Sequence, residues 1–100
     1  MRIIAKGTLL KFWEKHPDSK IGLLSWYEKM SKNFYKTPQE IVLDFKDADY
    51  VGNDRIVFNV AKNKFRLVVS CNFKFKAIWI MFVGTHKEYD KIDAKSVDNY

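Results

Sequence analysis

Residues 55–84 read RIVFNVAKNKFRLVVSCNFKFKAIWIMFVG, and their period decides the fold. Ile56, Phe58 and Val60 alternate with Arg55, Val57 and Asn59. Phe65, Leu67, Val69 and Cys71 alternate with Arg66, Val68, Ser70 and Asn72. Ile78, Ile80 and Phe82 alternate with Trp79, Met81 and Val83. Alternation with a period of two puts successive side chains on opposite faces of a strand. Three such runs, separated by AKNK and NFKFK, predict an antiparallel meander. The apolar set Phe65/Leu67/Val69/Cys71 should face a core. The mixed set opposite it should face solvent, where Arg55, Asn59 and Arg66 would share a surface with Trp79 and Met81.

Upstream of the meander the period changes. RIIA at 2–5 is a short apolar strand. TLLKFWEKH at 8–16 places Leu9, Phe12, Trp13 and His16 at helical spacing, and Pro17 stops it. Asp18 is positioned to cap a second helix carrying Leu23, Tyr27, Met30 and Phe34 at intervals of four, three and four. Thr37-Pro38-Gln39-Glu40 combines an N-cap, a proline at the first helical position and the acid of a capping box, and so starts a short third helix. An acidic loop, KDADYVGND, then leads into the meander. The predicted order is β-α-α-α-β-β-β with a polar tail after Gly84. Helices followed by strands indicate an α+β domain over residues 1–100, one mainly antiparallel sheet with helices on one face.

Composition narrows the function classes. A single cysteine, Cys71, excludes an internal disulfide framework, and no Cys/His cluster has zinc spacing. The N-terminal stretch has no apolar run of signal-peptide or membrane-spanning length, which gives a cytoplasmic expectation with no membrane partner. Gly-rich phosphate loops, Ser/His/Asp arrangements and paired carboxylates on fixed elements are missing, and no metal or cofactor is expected. The net charge is +6, from 18 Lys/Arg against 12 Asp/Glu. Residues 1–50 carry nine basic and seven acidic residues; residues 51–100 carry nine and five. Within 51–76, Arg55, Lys62, Lys64, Arg66, Lys74 and Lys76 face one acid, Asp54. A concentrated basic segment suits a polyanion or serves as a solvated face. An exposed aromatic, Trp79, on the same sheet surface as Arg55 and Arg66 favours a single-stranded RNA surface.

Beyond the last strand, FVGTHKEYDKID (82–93) crowds titratable groups together. Gly84 is expected to bend the chain there, bringing His86, Glu88, Tyr89, Asp90 and Lys91 to the rim of the sheet. RNA cleavage by the 2′-hydroxyl needs a base, an acid and cations for the phosphorane. A histidine such as His86 can serve as acid or base near neutral pH. Arg66 with Lys62 or Lys64 supplies positive charge, and Tyr89 can stack a base or join proton transfer. The same residues also describe a charge-mixed helix start, and His16 reads as structural.

Several stretches together resemble one family. MRIIAKGTLLKFWEKHPDSK (1–20), Trp26-Tyr27, FKDADYVGNDRIVFNV (45–60), NKFRLVVSCNF (63–73) and FVGTHKEYDKIDA (82–94) are similar, in order, to the HigB toxins of bacterial toxin–antitoxin systems. The resemblance implies a RelE-like fold and an mRNA interferase, an endoribonuclease acting on mRNA in the ribosomal A site. It also implies a helix-turn-helix antitoxin of the HigA type, and operator DNA bound only through the toxin–antitoxin complex. Arg66 then stands where the family has its sheet arginine, with Lys62 and Lys64 close by. His86, Tyr89, Asp90 and Lys91 match the tail motif, the acid and base being left open among His86, Tyr89 and Lys91. The resulting catalytic set is His86, Arg66, Tyr89 and Lys64; the RNA-binding set is Arg55, Lys62, Trp79, Lys74, Lys76 and Lys91.

Overall fold

A computed structural model describes residues 1–98. It runs β1 (Arg2–Ile4), α1 (Lys6–Lys15), a 3-10 turn (Pro17–Ser19), α2 (Lys20–Lys32), α3 (Pro38–Asp44), β2 (Ala48–Gly52), β3 (Arg55–Val60), β4 (Phe65–Asn72), β5 (Ala77–Thr85) and α4 (His86–Tyr89). The five strands make one sheet in the order β1-β5-β4-β3-β2. β1 lies parallel to β5, and every other pairing is antiparallel. The α+β class and the three-strand meander are as expected; β2 and α4 are additional.

Each added element has a local cause. β2 is an edge strand whose residues Asp49 and Tyr50 are exposed, so its apolar alternation is weak; short, charged edge strands are a usual protection against edge pairing. Its turn to β3 uses Asn53 and Asp54, at φ 55° and 56°, residue types that tolerate the left-handed region. α4 is nucleated by a capping box: the Thr85 hydroxyl accepts from Glu88 N, and the Glu88 carboxylate accepts from Thr85 N.

Two helix expectations shift. Asp18 lies in the 3-10 turn and makes no side-chain cap; Ser19 precedes α2. α2 ends at Lys32, so Phe34 leaves the apolar stripe and is exposed while Trp26 joins the core. The Thr37 cap on α3 forms as predicted, with Glu40 N donating to Thr37 Oγ1 at 3.3 Å.

The helices cover one sheet face. Leu9 of α1, Leu23 and Met30 of α2 and Ile41 of α3 are fully buried with Ile56, Leu67, Val69, Ile78 and Ile80. A backbone bulge then changes the pattern within β5. Val69 pairs with Ile80 but Val68 pairs with Phe82, leaving Met81 as the extra residue. One inserted residue reverses the facing of everything after it. Val83 therefore packs with the helix-side core, and Phe82 moves to the other face.

That other face is not open, as the alternation alone suggests. Residues 89–97 fold back across it. Tyr89, Ile92, Ala94 and Val97 pack on Val57, Val68, Met81, Trp79 and Phe82. The apolar content of the second face explains the cover: Val57, Val68 and Met81 would otherwise present a contiguous apolar patch to water.

Candidate nucleic-acid interface

The site is built on the β3–β4 turn. Ala61, Lys62 and Asn63 have φ of 53°, 54° and 71°, three consecutive left-handed residues without a glycine. Such conformations cost side-chain-bearing residues about 1–2 kcal/mol each. The tight turn leaves Lys62 and Lys64 exposed at the corner of the sheet. Lys64 Nζ lies 3.5 Å from Asp18 Oδ2 of the 3-10 turn, joining the helical layer to the corner.

Arg66 follows on β4, paired across the sheet with Asn59 on one side and Gly84 on the other. Its Nη1 donates to Asn63 O at 2.7 Å and to Phe65 O at 3.3 Å, which folds the guanidinium toward the turn. The guanidinium carbon is 5.9 Å from the centroid of the Tyr89 ring. The Tyr89 ring is in turn 6.4 Å from that of Phe82. Gly84 makes room for this cluster. A Cβ there would meet Phe82 Cζ at 2.5 Å and Glu88 Oε1 at 3.1 Å. The role of Gly84 is thus close approach inside β5, which continues to Thr85, and not the sharp bend expected of it.

Thr85 and Glu88 then aim the next turn. Glu88 Oε1 accepts from Thr85 N at 2.8 Å, and Glu88 N donates to Thr85 Oγ1 at 3.2 Å. The Thr85 backbone N–H outweighs the opposing effect of burial and, with smaller help from the Thr85 hydroxyl and the charges of His16 and Lys91, holds the Glu88 carboxyl below the usual range. His86 N donates to Lys64 O at 3.2 Å, so α4 starts against the strained turn. The exposed His86 imidazole has Nε2 3.6 Å from Asp90 Oδ2. Three cations, one imidazole and one half-buried aromatic therefore converge on one corner, held by backbone bonds on both sides.

The predicted residues divide into three groups. Lys62, Lys64, Arg66, His86 and Tyr89 meet at this corner, with Lys91 close to it through its charge on Glu88. Arg55 and Trp79 lie beneath the folded-back segment: Arg55 Nη1 donates to Val97 O at 2.6 Å and Ala94 O at 3.4 Å, and Trp79 packs in the apolar cluster. Lys74 and Lys76 lie in the β4–β5 turn, at the opposite end of β4 from Arg66. At about 3.4 Å per residue, the six steps from Arg66 to Asn72 span ~20 Å.

His16 and Asp18 are the neighbours that the sequence did not single out for the site. The His16 ring stacks on Phe12 at 4.5 Å and lies 5.5 Å from Phe65, the residue preceding Arg66. Helical spacing alone reads His16 as part of an apolar stripe, because no local signal reports that α1 ends beside the β3–β4 turn.

A mixed sheet layered with helices, carrying a cationic corner beside a short C-terminal helix, is consistent with a RelE-like toxic component of a toxin–antitoxin system. That is the description of the family whose model matches residues 19–92. Within that class the chain belongs to the HigB toxin family. It is 32% identical over 93 residues to the mRNA interferase toxin HigB of Escherichia coli (strain K12), covering 90% of this chain and 88% of that protein. The mRNA interferase HigB of Shigella flexneri gives the same identity and coverage. That of Escherichia coli O6:H1 is 29% identical over 94 residues, covering 92% of this chain and 91% of the relative.

Proposed function

We propose that the chain is the toxin of a type II toxin–antitoxin pair and acts in the cytoplasm as a ribosome-dependent mRNA endoribonuclease. The observation that carries this reading is the corner itself, where Arg66 over the Tyr89 ring stands beside His86 and Lys64. The chemistry is metal-independent transesterification. A 2′-oxygen attacks the adjacent phosphorus, the bond to the 5′-oxygen breaks, and a 2′,3′-cyclic phosphate and a 5′-hydroxyl result. The 2′-hydroxyl proton passes to a base and the leaving oxygen takes one from an acid, and His86 carries one of these transfers. Arg66 and Lys64 balance the charge that grows on the phosphorane, the most valuable place for fixed cations. Tyr89 offers a face for a base, and Lys62 and Lys91 extend the phosphate contacts. A HigA-type helix-turn-helix antitoxin is the partner, and operator DNA is reached only through that complex.

The test is cleavage of a translated message in a defined mixture, with and without ribosomes, comparing the parent with His86→Ala and Arg66→Ala. Cleavage only on ribosomes, lost in both variants and unaffected by a chelator of divalent cations beyond its effect on the ribosome, is the expected result. Translation arrest with transcripts left whole identifies a non-cleaving blocker and overturns the enzymatic reading.

A further inference from the structure

The end of the molecule opposite the cationic corner carries its own set of basic and aromatic side chains. Phe34 is 71% exposed and Phe75 is 68% exposed, both outside either apolar cluster. Each has a lysine over its ring: Lys76 Nζ is 5.4 Å from the Phe34 centroid, and Lys74 Nζ is 5.7 Å from that of Phe75. Three chain segments are tied together there. Arg2 N donates to Lys76 O at 2.8 Å, and the Met1 nitrogen donates to Asn33 O at 2.5 Å. The segments 1–2, 32–36 and 72–76 thus bring Arg2, Lys32, Lys36, Lys74 and Lys76 to one end, all exposed, with no acidic residue among those segments.

We propose that this end is a second RNA-docking face, separate from the cleavage corner, which takes unpaired nucleotides with bases on Phe34 and Phe75 and phosphates against the five cations. Flat, exposed rings set among lysines are the arrangement by which single-stranded nucleic acid is held without regard to sequence. An acidic peptide would satisfy the charge, but it would leave two exposed rings without the aliphatic groove that a helix face normally fills. The lysine beside each ring is placed to meet the phosphate of a nucleotide whose base stacks on that exposed ring. The RNA can be a continuation of the strand held at the corner, ~20 Å away along β4, or a separate loop of a folded RNA.

Fluorescence anisotropy with labelled uridine oligomers of about 4 and about 16 nucleotides tests this. The proteins compared are the parent, Phe34→Ala/Phe75→Ala, Lys74→Gln/Lys76→Gln and Arg66→Ala. The phenylalanine pair should lose about tenfold or more in affinity for the longer oligomer. The lysine pair, which leaves both rings in place, should lower the slope of log K against log salt by about 1.4. Weakening of the longer oligomer alone by the phenylalanine pair supports one strand running between corner and face; weakening of both lengths supports an independent site. Binding and salt slope equal to the parent in both double variants overturns the proposal, as does loss of antitoxin binding with RNA binding intact. A parent that binds oligomers through Phe34 and Phe75 yet cuts no message overturns the interferase reading and leaves this face standing. A parent that cuts, with both double variants binding as it does, removes the face alone.

Discussion

Glu88 contributes to the candidate site through the backbone. Its carboxylate holds Thr85 N at 2.8 Å, and this bond, more than the charges of His16 and Lys91, keeps it ionised below the usual 4.5. A carboxyl with a depressed pKa in the folded state adds stability above its unfolded value, and that stability is lost as the pH falls through the folded one. Glu88→Gln keeps the acceptor and removes the charge. The parent should therefore melt above the variant at neutral pH, and the difference should close as the pH falls below 4.5, measured by thermal melts across the acid range. A constant difference at all pH values would mean that shape, not charge, holds the cap. Arg66 is a different case, since its Nη1 donates to both Asn63 O and Phe65 O while its guanidinium carbon lies 5.9 Å from the Tyr89 ring centroid. Lysine keeps the charge and loses the planar guanidinium with its extra donors. Arg66→Lys should lower message cleavage about a hundredfold, the usual effect of removing one fixed donor to a transition state. Stability should fall by only about 1 kcal/mol in a urea melt, the worth of an ordinary hydrogen bond.

The β3–β4 turn is where the elements hold strain. Ala61 at φ 53° opens three successive left-handed residues, and glycine adopts that region without a Cβ clash. Ala61→Gly should raise stability by about 0.5–1 kcal/mol in urea unfolding, the balance of relieved strain and the extra freedom of glycine when unfolded. The same elements explain what could be read from sequence. The meander was legible because period two persists through β3, β4 and the first half of β5. That hairpin logic also brings Lys62, Lys64 and Arg66 beside His86, so the corner was legible too. The facing of Phe82 and Val83 was not, because the Met81 bulge is set by pairing with Val68 and Val69 across the sheet. Nor was β2, where Asp49 and the exposed Tyr50 hide the alternation of an edge strand. Arg55 and Trp79 were assigned to an open face because nothing local in residues 55–84 announces that residues 89–97 return over it.

At the scale of the molecule, that return makes the sheet the middle of three layers, with helices on one side and the C-terminal segment on the other. The polar ties to the segment go to its backbone: Arg55 Nη1 donates to Val97 O and Ala94 O, and Asn53 Nδ2 donates to Lys95 O at 2.8 Å. Arg55→Ala should cost about 2 kcal/mol, in the range for hydrogen bonds from a charged donor, and hydrogen exchange of residues 92–97 should quicken well before that of β4. Removal of everything after Asp90 is the stronger perturbation. It leaves α4 and its capping box in place, yet strips Ile92, Ala94 and Val97 from Val57, Val68, Met81 and Trp79. Buried apolar area is worth about 25 cal/mol per Å², so an uncovered sheet face both weakens the fold and invites association. The truncated chain should bind a hydrophobic dye, elute as an oligomer in size-exclusion chromatography and melt below the Arg55→Ala variant. A truncated chain that stays monomeric, dye-free and as stable as the parent would show that the segment lies on the sheet without holding it. The second face would then be available to RNA after all, as its basic and aromatic residues first suggested.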